Sequence, residues 1–154
     1  MTEKKYVRAI LIDPVAKTVT EVEHDAKDFT DIHRLLSDPE NGLKVGCFTA
    51  VGIDRHHHVF VDDNGLLEDP KHFFEWKGYG QPLAGRGLVL ATDEAGDTVA
   101  AMISLDAVKA AVSFNDGIVF EGFKPIPPGT TRMIGGKPWP VFGQTPMFSR
   151  RNAR

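Results

Sequence analysis

The stretch Arg55-His56-His57-His58-Val59-Phe60-Val61-Asp62-Asp63-Asn64-Gly65 decides the fold. Its first seven residues predict a β-strand, and Asp62-Asp63-Asn64-Gly65 ends that strand with turn chemistry. Asn-Gly is a hairpin signal because both residues tolerate positive φ, so a tight turn with Gly65 in the left-handed region is expected. Upstream, Val45 to Ile53 also predicts a strand. Downstream, Phe73-Phe74-Glu75-Trp76 predicts a short one.

Further outward, Tyr6 to Ile12 is β-branched and apolar and stops at Asp13-Pro14. Thr18 to Glu23 has strong β propensity, so the two predict an opening hairpin. Between Asp28 and Leu36 the period changes. Phe29, Ile32, Leu35 and Leu36 form one helical stripe, with Asp28 as N-cap and Pro39 as the stop. Leu88 to Thr92 and Thr98 to Ile103 flank Asp93-Glu94-Ala95-Gly96-Asp97 as a second hairpin. Ser104 caps a helix over Leu105 to Val112. Ile118-Val119-Phe120 predicts a last strand, which closes a domain over residues 1–121.

From Gly122 the composition shifts. Six prolines (Pro125, Pro127, Pro128, Pro138, Pro140 and Pro146) exclude regular helix. Trp139, Phe142, Met147 and Phe148 mark residues 122–154 as more than a linker. The expected fold is therefore α+β: a mainly antiparallel sheet of about five to seven strands, two helices on one face, and an extended Pro-rich C-terminal arm. Such an arm gains order by burying side chains, so Trp139 is expected to be buried together with Phe142 or Phe148.

Composition bounds the function. The chain has 154 residues, 42% of them hydrophobic and 25% charged, as globular domains do. Its one cysteine, Cys47, excludes an internal disulfide and a cysteine-based zinc cluster, and suits a reducing, cytoplasmic setting. Cys47 lies in the apolar run Val45-Gly46-Cys47-Phe48 and is expected to be a small buried hydrophobe. No apolar run approaches the ~18–20 residues of a membrane span. The N-terminal apolar run is too short for a signal sequence.

Four features could carry chemistry. Alternate residues of a strand share a face, so Asp54, His56 and His58 would project together, with Asp62 beyond them. Two imidazoles and a carboxylate suit a divalent metal; otherwise they lie on a solvated face. His24, His33 and His72 could supply a further ligand. Asp62 to Gly65 suggests a calcium loop, but Glu68 and Asp69 stand at the wrong offsets, and a turn is the better reading. Gly78 to Gly87 is a glycine-rich loop without the Lys-Ser/Thr of a phosphate-binding loop. Its Tyr79, Gln81 and Arg86, with Trp139, are the expected ligand or partner surface. No Gly-x-Ser-x-Gly nucleophile motif is present.

Charge is split. Residues 122–154 carry +6 with no acidic residue, which leaves −9 for residues 1–121. The basic tail could bind nucleic acid, or dock on its own acidic domain or on a second copy in a homo-oligomer. Docking is preferred, because an acidic body repels phosphate.

Val59-Phe60-Val61-Asp62-Asp63-Asn64-Gly65-Leu66-Leu67, Phe73-Phe74 and Pro82-Leu83-Ala84-Gly85-Arg86-Gly87-Leu88-Val89-Leu90-Ala91-Thr92-Asp93, with Ile12-Asp13-Pro14, carry a resemblance. Over about residues 6–115 the chain resembles small uncharacterised proteins of phages, plasmids and other bacterial mobile elements. The resemblance implies no catalytic residues. It implies a non-enzymatic accessory protein that binds a host protein or small ligand, with interference in host defence as one form. A metal-dependent enzyme using Asp54, His56 and His58, and a nucleic-acid binder using the basic arm, are the alternatives.

Overall fold

A computed structural model describes residues 3–67, 70–115 and 117–151. The chain divides into two compact units, Met1–Asp116 and Gly117–Arg154. Ile118 to Phe120 thus fall in the second unit.

The first unit runs β1 (Tyr6–Asp13), β2 (Thr18–Asp25), α1 (Asp31–Leu36), β3 (Phe48–Gly52), β4 (His57–Asp62), β5 (Phe73–Trp76), β6 (Leu83–Ala84), β7 (Gly87–Thr92), β8 (Thr98–Val99), α2 (Leu105–Ala111) and β9 (Val112–Phe114). The largest sheet has the order β2-β1-β7-β4-β3, with β8 added beside β7. All its pairings are antiparallel. A second sheet of order β6-β5-β9 is separate from it.

Both faces of the large sheet are apolar. Register puts Ile10 beside Val89 and Val89 beside Val59. These pack with Phe74, Trp76 and Val108, which belong to the second sheet and α2. The intervening residues Ala9, Phe60, Leu88 and Leu90 pack instead with Ile32, Leu35 and Leu36 of α1. The two helices therefore cover opposite faces, which corrects the expectation of two helices on one face. The reason lies in β7. Leu88-Val89-Leu90-Ala91 is apolar without alternation, the pattern of a strand buried on both sides. Fully burying each such side chain contributes roughly 1.5–3 kcal/mol, so neither face is left open.

The opening hairpin forms as expected, and the second hairpin forms with a shorter return strand, Thr98–Val99 in place of Thr98 to Ile103. Ser104 caps α2, accepting a hydrogen bond from the Ala107 N–H. Helix α1 is shorter than its apolar stripe. The Asp28 carboxylate holds the N–H and hydroxyl of Thr30 in a local turn, so the helix starts at Asp31. Phe29 is left exposed, packed on Phe48. Cys47 is exposed rather than buried, in the segment that leads into β3.

The Asn64-Gly65 hairpin does not form. Gly65 is absent from the positive-φ glycines and opens a 3-10 turn, Gly65–Leu67. Asp62 Oδ1 accepts the Asn64 N–H, and the Leu67 N–H reaches the Asn64 carbonyl, which turns the chain out of the large sheet. Gly65 is needed for closeness instead: a Cβ there would lie 3.2 Å from the Ala84 Cβ. Glu68 and Asp69, weighed for a calcium loop, lie outside the described residues.

The second unit holds β10 (Ile118–Pro125), β11 (Thr131–Ile134), β12 (Lys137–Pro140) and β13 (Gln144–Arg150). β10 pairs with β13 and β11 with β12. The Ile126 N–H bonds the Gly143 carbonyl and the Val141 N–H bonds the Thr130 carbonyl, which joins the two ladders into one folded-back ribbon. Gly135 and Gly136, with φ of 58° and 77°, turn its tip. A ribbon with this tip replaces the expected extended arm. Every strand of a two-stranded ribbon is an edge, so Pro125, Pro138, Pro140 and Pro146 cost no ladder bond when they face outward. A bulge at Glu121, with Gly122 at φ +97°, brings Phe120 and Phe123 to one side, where Phe120 also meets Phe148.

Candidate functional site

Three polar clusters in the first unit, built around His57, Asp31 and Arg86, are engaged in holding it together. In the first, Asp54 Oδ1 accepts the N–H groups of His56 and His57 at 2.8 and 2.7 Å. The His57 Nδ1 lies 3.0 Å from Asp54 Oδ2. Its Nε2 lies 3.0 and 3.1 Å from the N–H groups of Met102 and Ile103. Backbone N–H groups can only donate, so Nε2 is the acceptor and the ring proton sits on Nδ1, donated to Asp54. Burial works against ionising Asp54, but these hydrogen bonds outweigh it and hold the carboxyl below its usual range.

The expected metal set is thereby dispersed. Asp54 sits in the turn before β4 and faces His57, the histidine that was not nominated. His56 is exposed, and the His58 Nδ1 meets the Thr92 hydroxyl at 3.2 Å. Among the described residues no three His, Cys, Asp or Glu side chains are grouped to hold a metal ion.

In the second cluster, buried His24 approaches Asp31 Oδ2 at 3.1 Å, which also accepts the Asp25 N–H. Arg34 reaches Asp31 Oδ1 at 2.6 Å. Burial opposes ionisation of Asp31, yet Arg34, the Asp25 N–H and His24 together pull its carboxyl below the usual range. His33 places Nδ1 3.2 Å from the Val45 carbonyl and its ring edge-on to Phe48.

Arg86 centres the third. Its Nη1 donates to the Ser37 carbonyl at 2.8 Å, and its Nη2 lies 3.1 Å from Asp13 and 3.3 Å from Asp38. It thus ties the end of β1 and the chain after α1 to the start of β7. A cavity of about 340 Å³ lies beside it, lined also by Asn41, Leu43, Lys71 and His72. Tyr79 and Gln81 do not line this cavity; Tyr79 sits by a shallower groove with Ala111 and Ser113.

The ribbon differs in kind. Every residue from Thr131 to Pro140 is exposed. Trp139 is 54% exposed and Phe142 84%, so the ribbon itself does not bury either ring. Register sets Arg132 opposite Trp139 and Ile134 opposite Lys137. Cross-strand partners and alternate residues share a face, so one face of the tip carries Arg132, Trp139, Ile134 and Lys137. Met133 and Pro138 lie on the other face. Lys124, Arg150 and Arg151 continue the basic character toward the base. Glu121 is the unit's one acidic residue and accepts a hydrogen bond from the Ser149 hydroxyl. Cations beside an exposed indole can bind a charged, ring-bearing partner. Trp139 alone of this face was singled out from sequence; Gly135-Gly136 between two short runs was the hairpin signal for the rest. No protein-family model, curated protein or solved structure matches the chain.

Proposed function

We propose that this protein works by binding, and that its C-terminal ribbon binds nucleic acid. The observation that carries this reading is the exposed tip face, where Arg132 and Lys137 flank Trp139 and Ile134. A nucleic acid offers phosphates to the cations and flat rings to the indole, whereas an acidic protein patch matches only the charge. The ribbon unit carries +5 and residues 1–116 carry −8. Repulsion from the acidic unit is screened over about 10 Å at 0.1 M salt. In the first unit, the ionisable groups of the three polar clusters are engaged in the fold, which favours binding over catalysis. An accessory role in a bacterial mobile element remains what the resemblance over residues 6–115 implies, including the version that interferes with host defence.

The test is fluorescence anisotropy of labelled oligonucleotides against the full chain at 50 and 200 mM salt. Binding should weaken steeply between the two, as phosphate contacts do. No binding to any oligonucleotide at the lower salt sinks the proposal.

A second reading is a small-ligand site in the cavity beside Arg86, favoured by its volume of about 340 Å³ and its mixed lining. It predicts that some ligand raises the unfolding temperature of the chain and that Leu43→Trp, which fills the space, abolishes the shift.

A further inference from the structure

We infer that the ribbon's partner is single-stranded nucleic acid, with Trp139 as the stacking platform and Arg132 and Lys137 as the phosphate contacts. This rests on the nucleic-acid reading above and adds the strandedness and the roles of three residues. In a duplex the base faces are already stacked on one another. An exposed indole gains a base face there only by prying a step open, at a cost of a few kcal/mol. A single strand presents its base faces without that cost, and stacking on aromatic side chains is its common mode of recognition.

The tip is built for this. Trp139 lies beside two cations and one isoleucine on a face with no covering residue of its own ribbon. Phe142, 84% exposed, follows three residues on, where the ladder continues through Val141 and Gly143. A two-stranded ribbon has no interior, and alone in water it is marginally stable at best. Stacked bases would supply the cover that the tip lacks. The Gly135-Gly136 turn has no side chain to obstruct a strand that crosses the tip.

The test compares labelled single-stranded DNA, single-stranded RNA and a duplex of the same sequence, binding to the full chain and to the variants Trp139→Ala, Trp139→Phe and Arg132→Gln/Lys137→Gln. All three positions are exposed, so the fold is expected to survive, and circular dichroism checks this. The expected result is a preference for the single strands. On them Trp139→Ala should weaken binding about tenfold or more, while Trp139→Phe keeps most of the affinity. The double variant should lower the slope of log K against log salt by about 1.4, two phosphates at 0.7 each. Emission from Trp139 should quench on binding, and Trp76, which is buried, should not respond. Equal binding to duplex and single strands with no effect of Trp139→Ala overturns this inference and leaves the nucleic-acid reading standing. No binding at low salt overturns both. A dimer that Trp139→Ala dissolves, without nucleic-acid binding, assigns the ribbon to a second copy of the chain and also overturns both.

Discussion

Replacing Arg86 by alanine separates a clamp from a ligand contact. The guanidinium spans the Ser37 carbonyl, Asp13 and Asp38, and its side chain is 19% exposed. Removing one partner of a buried ion pair costs about 3–5 kcal/mol, because the other charge is stranded. Here two carboxylates are stranded, but neither loses every donor. Asp13 Oδ1 keeps the N–H groups of Val15 and Ala16, and Asp38 keeps the Asn41 amide. The loss should therefore fall at the low end, about 3 kcal/mol, a large share of the 5–15 kcal/mol typical of a folded domain. Arg86→Lys retains the charge, yet a single ammonium cannot reproduce the planar fork, and about half the loss should remain. Urea unfolding followed by Trp76 emission reads both values, since Trp139 is exposed in the folded state and changes little. If Arg86→Ala unfolds within about 0.5 kcal/mol of the unaltered chain, the range of a neutral surface change, the clamp is refuted. Arg86 would then be free to serve the adjacent cavity.

Other outcomes follow from the same geometry. A Cβ at Gly87 would lie 2.6 Å from Phe74 Cζ and 2.8 Å from Val59 Cγ1, both on buried side chains, so Gly87→Ala should lose about 1–3 kcal/mol by overpacking. Gly46→Ala, with nothing within 4 Å, should be neutral or gain up to about 1 kcal/mol in the same denaturation assay. Ser104→Ala removes the cap on α2 and should cost about 0.5–2 kcal/mol, read as a shift in unfolding midpoint. Asp31 and Asp54 are both held below the usual carboxylate range. A depressed folded value means the unfolded chain binds protons more readily, so their stabilisation is complete above the unfolded value of about 3.9 and is lost as pH falls through the lower folded one. Asp31→Asn and Asp54→Asn should thus be less stable than the unaltered chain at pH 7, with the gap closing in acid; a gap that is constant down to the acid transition would count against these hydrogen bonds.

Most strand and helix positions of the first unit were legible because they rest on short-range chemistry. Ser104 before an apolar run, Pro39 after one, and the β-branched, apolar character of Tyr6 to Ile12 act locally and were read correctly. The placement of the helices was not, although the signal was present. Leu88-Val89-Leu90-Ala91 has no polar side, and a strand without a polar side demands cover on both faces. Asn64-Gly65 misled for the opposite reason. Asn-Gly favours a tight hairpin only when the following segment pairs back, and here β5 pairs with β6 and β9 instead. The glycine is there for the approach of Ala84, a contact between segments nineteen residues apart that no local rule detects.

The histidine run shows the same limit at the level of chemistry. Strand periodicity groups His56 with His58, but periodicity begins where the strand begins, and β4 starts at His57. The preceding turn places Asp54 beside His57 Nδ1, and His57, rather than His56 or His58, pegs β4 to the segment before α2. Donor and acceptor counting then leaves that ring no open nitrogen, since each of its two nitrogens already has a partner. In the ribbon the counting runs the other way. Its backbone groups pair across the ladders, while Arg132, Trp139 and Lys137 stay exposed on one face. A side chain that stays 54% exposed is under little folding constraint to be tryptophan rather than a polar residue. That asymmetry, between polar groups spent on the fold in the first unit and Arg132, Trp139 and Lys137 exposed on one face of the second, is what supports the proposal that the ribbon binds.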